Sequence, residues 1–332
     1  MIRATLALLL LISSLAACGG DEETITVYSG RSENLVAPLL DEFTEATGIQ
    51  VDVRYAGSAD LALLIDQEGD RSPADVFISQ SPGALGFLEG NDKLSAVDES
   101  LLDLVPARWR DDDGMWIGIS GRVRVIVYNE DLVDPAELPA SVFELSDDEF
   151  RDRVGLAPGN SSFQDFVTIM RETYGDDAAL DWLSGMADNG ARSYTNNTSI
   201  VQAVGRGEVP MGLVNHYYNF RALAENPGAV SRNYYFPQGD IGSVLIATGA
   251  GIIASSDQPE LGGQLIEFLL GETAQRYLAE ETFEYPLALG SEPVDVLPAL
   301  TTIDAAFHDL DKLGGGLERT KELIDASGLE SP

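Results

Sequence analysis

Thr24-Ile25-Thr26-Val27-Tyr28 alternates polar and apolar side chains, and Ser29-Gly30 breaks the run. A period of two marks a β-strand with one buried face. From Glu33 to Thr47 the period changes: Leu35, Leu39, Phe43 and Ala46 recur at helical spacing until Gly48 stops them. Val51-Asp52-Val53-Arg54-Tyr55 returns to strand alternation. Ser58 then reads as the cap of a helix carrying Leu61, Leu64 and Ile65 and ended by Gly69. Ala74-Asp75-Val76-Phe77-Ile78 is a third strand. This order of elements is that of a parallel sheet wrapped by helices, an α/β fold. Such sheets bind ligands at the carboxyl ends of their strands, here Ser29-Gly30-Arg31-Ser32 and Ser79-Gln80-Ser81.

Farther along, Arg122-Val123-Arg124-Val125-Ile126-Val127-Tyr128 is a longer strand, suited to crossing between two lobes. The alternation restarts beyond it. A strand at Val154-Gly155-Leu156-Ala157 precedes helices from Ser161 and from Asp176 to Met186. Ile200 to Gly205 is helical, and Met211-Gly212-Leu213-Val214 is a buried strand. Val244 to Ile253 reads as the return crossing and Gln264 to Leu278 as one long helix. A short helix from about Leu323 is stopped by Gly328.

The first residues bear on compartment. Met1-Ile2-Arg3 supplies a positive start, and Leu6 to Ile12 is an apolar run too short to span a bilayer. Residues 1–17 therefore read as a signal peptide. Leu15-Ala16-Ala17-Cys18 resembles the lipobox of bacterial lipoproteins, which implies cleavage before Cys18 and lipidation of its thiol. Residues 18–23 would then link a lipid anchor to an extracytoplasmic protein. Cys18 is the only cysteine, so no internal disulfide forms. The 55 acidic residues against 20 basic ones give a net charge of −35, which argues against nucleic acid or an anionic membrane surface as partner.

Asn215-His216-Tyr217-Tyr218 carries the chemistry. Neighbouring side chains diverge on strands and helices alike, so adjacent tyrosines share a ligand only at a loop or a helix start. A phenol near pKa ~10 becomes a ligand only when a strongly polarising cation displaces its proton. Hard oxygen donors select hard cations. Tyr234-Tyr235, within Asn233-Tyr234-Tyr235-Phe236-Pro237, reads instead as strand aromatics. Ser161-Ser162-Phe163-Gln164 has capping-box spacing, and such a helix start is either a plain cap or an anion site. Asn196-Asn197-Thr198 admits the same two readings. Arg122 and Arg124 alternate on one strand and face one side, and burial of either needs an anionic partner.

Together these segments resemble the ferric-iron substrate-binding proteins of bacterial ABC importers. Tyr28-Ser29-Gly30-Arg31 is similar to the family's opening motif, and Gln67-Glu68-Gly69-Asp70-Arg71-Ser72-Pro73-Ala74-Asp75-Val76-Phe77 to its next block. Trp116-Ile117-Gly118-Ile119-Ser120-Gly121-Arg122-Val123-Arg124-Val125 resembles its lobe-crossing segment. The most specific block runs from Gly207-Glu208-Val209-Pro210 to Asn215-His216-Tyr217-Tyr218, and Glu284-Tyr285-Pro286 matches a late turn.

The resemblance implies a two-lobed periplasmic-binding-protein fold. Each lobe would hold a mixed, mostly parallel sheet flanked by helices, with two strands crossing between them. Lobe 1 would take residues 24–121 and about 248–299, and lobe 2 residues 122–247 and about 300–332. Tyr217 and Tyr218 would be phenolate ligands of Fe³⁺ as transported cargo. Arg122, Ser161, Ser162, Asn197 and Asn215 would surround carbonate or another small synergistic anion. The expected partners are an ABC permease and its ATPase, with the protein itself a monomer.

The chain departs from the family pattern in lobe 1. Ser32-Glu33 stands where many members place a histidine or a His-Tyr pair, Gln80 where some place a glutamate, and Phe163 where one subgroup has a third tyrosine. Ser32, Glu33 and Gln80 remain the lobe 1 candidates, while His216 is expected to point away from the tyrosines. A binding protein for another small oxyanion-containing ligand is the alternative. An enzyme is not expected, because only His216 and His308 are available and no GxSxG, HExxH or phosphate-loop pattern occurs.

Overall fold

A computed structural model describes residues 23–300, 302–303, 306–307 and 316–329. Residues 1–17, expected to be a signal peptide, lie outside the described residues, as do Cys18 and His308. The chain begins with β1 (Thr24–Ser29), α1 (Glu33–Thr47), β2 (Gln50–Tyr55), α2 (Ser58–Glu68), β3 (Val76–Ser79) and α3 (Pro82–Gly90). A short β4 (Leu94–Ser95) and the one-turn α4 (Glu99–Leu102) precede β5 (Ile117–Asn129). The second half follows with β6 (Val154–Leu156), α5 (Ser161–Tyr174), α6 (Asp176–Asp188), β7 (Arg192–Ser193) and α7 (Asn197–Gly205). Then come β8 (Met211–Asn215), α8 (His216–Glu225), β9 (Ser231–Tyr234) and β10 (Val244–Ile253). The chain closes with α9 (Pro259–Leu270), α10 (Glu272–Glu280), β11 (Tyr285–Pro286), β12 (Ala306–Phe307) and α11 (Leu317–Ala326).

The strands run in the order β2-β1-β3-β10-β5-β8-β6-β7. β1 is parallel to β2 and β3, and β6 is parallel to β7 and β8. β10 and β5 lie antiparallel between these groups, so the sheet is mixed. β5 joins the two halves of the sheet. Its first part pairs with β10, as in Val123 opposite Leu245, and its second part pairs with β8 from Arg124 to Tyr128. β9 pairs with the far end of β5 and leads back toward β10, which starts at the junction.

Burial explains the elements. α1 turns Leu35, Val36, Leu39, Leu40 and Phe43 inward, and Gly48 ends it at φ 83°, where a side chain would be strained. Beside the β5–β8 pair, Val125, Val127 and Val214 pack against Ile200, Val201 and Val204 of α7. Gly212 on β8 makes this approach close: a Cβ there would stand 2.3 Å from Ile200 Cγ2 and 2.9 Å from the Gly155 carbonyl oxygen.

Four local expectations need correction. Ser58 is the first residue of α2, and its Oγ accepts the Gln80 backbone N–H at 2.9 Å instead of capping the helix. The cap of α5 is Asn160, whose side chain accepts the Ser162 N–H, so Ser161 and Gln164 form no capping box. The single helix expected from Gln264 to Leu278 is two, α9 and α10, separated at Gly271 by extended backbone (φ −72°, ψ 161°). The last helix starts at Leu317, six residues before the expected Leu323, because Thr320 is buried with Leu323 and Ile324 and extends the inward face.

Candidate functional site

β8 ends at Asn215, the N-cap residue of α8, so His216, Tyr217 and Tyr218 form that helix's first turn. The backbone therefore leaves regular strand geometry just before the two phenols. Their rings stack with centroids 4.2 Å apart and planes at 27°. Tyr217 is fully buried, and Tyr218 is half-buried. Burial and then the neighbouring Tyr218 push the Tyr217 phenol well above its ordinary range, against the pull of Arg31. His216 points away. Its Nδ1 accepts the Val123 N–H at 3.1 Å, and its ring packs 5.1 Å from Tyr285. Burial drives it down to about 3, so it is a neutral structural group.

Three helix starts meet beside the tyrosines. Asn160 Oδ1 accepts from Ser162 Oγ at 2.6 Å and from Asn197 Nδ2 at 3.3 Å, which joins the start of α5 to that of α7. Asn215 Nδ2 donates to Ser162 Oγ at 3.2 Å and brings in the start of α8. Helix N-termini present free N–H groups and the positive end of the dipole, a ready setting for an anion.

Three arginines lie buried around this point. Arg31, in the loop after β1, forms an ion pair with Glu284, whose other oxygen accepts from Ser120 Oγ. The Arg31 guanidinium carbon stands 5.7 Å from the Tyr217 ring centroid. Burial works against the Arg31 charge, but Glu284 together with Tyr217 and Tyr218 holds the group above its ordinary value. Arg122 Nη1 donates to Thr248 Oγ1 at 2.7 Å. Arg124 packs its guanidinium 6.0 and 5.6 Å from the Phe163 and Phe166 rings. Burial, then the neighbouring cation, lowers both: Arg31 acts on Arg122, and Arg122 helps bring Arg124 to about 9. Asp165 is buried and pushed up to about 7 by desolvation, opposed by Arg122, Ser81 and Arg124.

Seven side-chain atoms here are buried and without a hydrogen-bond partner: Arg31 Nη1, Arg122 Nε and Nη2, Arg124 Nε and Nη2, Asp165 Oδ2 and Tyr217 Oη. Folded interiors leave few such atoms, so their concentration in one place marks a site built to receive a polar ligand. Among the described residues no group of three His, Cys, Asp or Glu side chains could hold a metal, so metal donors at this site would be the phenols.

Of the residues expected from sequence, Tyr217, Tyr218, Arg122, Ser162, Asn197 and Asn215 are brought together, with Ser161 half-buried in the same helix turn. Ser32 and Glu33 are exposed, and Glu33 acts electrostatically on Tyr55. Gln80 is half-buried with its N–H on Ser58. Arg31, Arg124, Asp165, Ser81 and Thr248 join the site although none of them was among its expected residues. Arg124 carried a signal in its alternation with Arg122, and Arg31 and Ser81 carried one in their place at the carboxyl ends of β1 and β3.

The fold and the site define a two-lobed solute-binding protein. The chain matches the family of bacterial extracellular solute-binding proteins over residues 71–313, and it belongs to that family. It is 32% identical to the Fe(3+)-binding periplasmic protein of Serratia marcescens, across 98% of this chain and 96% of that one. Iron-bound HitA from Pseudomonas aeruginosa superposes with a TM-score of 0.89 at 32% identity, covering 92% of this chain and all of that one. A Trichodesmium protein in complex with iron and citrate ligands gives a TM-score of 0.77 at 26% identity, covering 92% and 100%. Among the described residues no helix is long and apolar enough to cross a membrane.

Proposed function

We propose that this chain captures ferric iron outside the cytoplasm, together with a small anion, and delivers it to an ABC-type permease and its ATPase. One observation carries the reading: two phenol rings stacked 4.2 Å apart on a helix start, one with a buried, unpaired hydroxyl. A phenol raised by burial stays protonated unless a strongly polarising cation displaces its proton. Hard phenolate oxygens then favour a hard trivalent ion. The iron named in the Serratia and Pseudomonas relatives supports this cargo, and the citrate in the Trichodesmium structure supports a carboxylate or carbonate partner.

In this reading Tyr217 and Tyr218 hold the metal. Arg122, Ser161, Ser162, Asn197 and Asn215 hold the anion, with Ser32, Glu33 and Gln80 as the lobe 1 candidates. Residues 24–121 and about 248–299 form lobe 1, and residues 122–247 and about 300–332 form lobe 2. The protein works as a monomer anchored through a lipid on Cys18, and it is not an enzyme.

Adding ferric iron with carbonate or citrate should turn the protein red through phenolate-to-iron charge transfer. The double variant Tyr217→Phe with Tyr218→Phe should stay colourless, and a red double variant would refute the reading. The five unpaired guanidinium nitrogens favour a second reading, a small oxyanion-containing ligand bound without metal. That ligand would bind wild type and double variant alike, with no colour.

A further inference from the structure

We propose that Arg31 is the first lobe's contact for the anion, so that a multivalent oxyanion, and no protein carboxylate, ties that lobe to the metal. The inference rests on the ferric reading and adds a residue and an anion class to it.

Geometry is the first argument. Arg31 is only 4% exposed, and the guanidinium lies beside the Tyr217 ring with Nη1 unpaired. Arg122, on the crossing strand, is fully buried with Nε and Nη2 unpaired. The two cations repel one another, and both feel Tyr217 and Glu284. Arg31 lines one small cavity with Thr248, the residue that accepts from Arg122 Nη1, so the two cations approach one space from separate elements. Glu284 is held by Arg31 and by Ser120, so it serves to present Arg31 and is not free to turn to the metal.

Charge is the second. A trivalent ion on two phenolates keeps one positive charge. Arg31 and Glu284 cancel, Arg122 and Arg124 add two positive charges, and Asp165 removes at most one. The remainder is at least two positive charges in a buried site, which a single ligand neutralises only if it carries two or more negative charges. Carbonate, dicarboxylates and tricarboxylates meet that requirement, and a planar guanidinium fork matches their paired oxygens.

The test separates anion binding from metal binding. With the full-length protein at saturating iron, the red band is followed while carbonate, or separately citrate, is titrated. Arg31→Gln should raise the half-saturating anion concentration roughly 10- to 100-fold, the share of a charge-assisted hydrogen bond. At saturating anion the colour per iron should be retained. Arg31→Lys should recover part of the affinity for carbonate and less for citrate, since an ammonium is a point charge. Should Glu284, left unpaired, prevent folding, Arg31→Gln with Glu284→Gln removes both charges and keeps hydrogen-bonding amides. An unchanged anion requirement in a folded variant would overturn the proposal. Colour lost at every anion concentration would also overturn it, because Arg31 would then serve Tyr217 directly. A wild-type protein that never reddens would instead refute the ferric reading itself.

Discussion

Arg124 and Asn215 are register partners across the antiparallel β5–β8 pair, and Arg124 Nη1 donates to Asn215 Oδ1 over 3.4 Å. The strand that crosses between the lobes thus holds the residue from which the tyrosine helix starts. Arg124 also has two unpaired nitrogens and no carboxylate ion pair among the described residues, so its burial costs stability. Arg124→Met should therefore change the urea-unfolding stability of the iron-free protein by less than about 2 kcal/mol. The same variant should weaken anion-dependent iron uptake by roughly 10- to 100-fold, since Asn215 and Ser162 lose a charged donor. A stability loss of about 3–5 kcal/mol would mark Arg124 as a structural residue only.

Tyr217 and Tyr234, one from each tyrosine pair, should behave oppositely when the hydroxyl is removed. Tyr217→Phe deletes a buried, unpaired polar atom, so the iron-free protein should be as stable as wild type or more so, while iron colour falls. Tyr234 Oη donates to the Pro139 carbonyl at 2.8 Å, so Tyr234→Phe should cost about 0.5–1.5 kcal/mol. It should leave the iron titration unchanged. Paired urea and iron titrations on both variants decide the matter; equal loss of colour would remove the distinction between Tyr217 and Tyr234.

Local patterns in the sequence carried much of the fold. Helix α1 runs over the residues its apolar spacing predicts, Glu33 to Thr47, because one stripe packs and Gly48 supplies the left-handed stop. The break between α9 and α10 was hidden for the same reason. Ile266, Leu270, Ala274 and Leu278 keep a four-residue spacing straight through Gly271, and all four are buried. Helical period reports which face is inward and says nothing of a single extended residue. At the candidate site, the tyrosine pair and the Arg122/Arg124 alternation are properties of neighbours in sequence. Arg31 with Glu284, 253 residues apart, and Asp165 beside Ser81 come together only through tertiary packing.

Gly212 sets how closely α7 approaches the strand that ends at Asn215. Gly212→Ala places a methyl group 2.3 Å from Ile200 Cγ2 and 2.9 Å from a backbone oxygen of β6, and backbone does not yield as a side-chain tip does. The expected cost is about 1–3 kcal/mol in unfolding stability. Because Asn197 and Asn215 belong to the two elements forced apart, iron affinity should fall as well. Circular dichroism melting and iron titration report the two effects. A variant as stable as wild type would show that α7 shifts freely.

Asp165 supplies a pH dependence with a definite sign. Its carboxyl is 3% exposed, faces Arg122 and Arg124 and the Ser81 hydroxyl from the start of α3, and is pushed up to about 7. Below pH ~4 the folded and unfolded chains both hold this proton. Between pH ~4 and ~7 the unfolded chain releases it while the folded chain keeps it, so this group's contribution to stability falls as pH rises. Above pH ~7 both are ionised and the fall ends. Three pH units correspond to on the order of 4 kcal/mol. Other carboxylates follow their own slopes, so the informative quantity is the wild-type stability minus that of Asp165→Asn, measured by urea unfolding of iron-free protein. That difference should decline from pH ~4 to ~7 and then level off. A difference that stays flat across the window would mean that Asp165 ionises like an ordinary surface carboxylate and leaves Arg122 and Arg124 with a full negative charge between them.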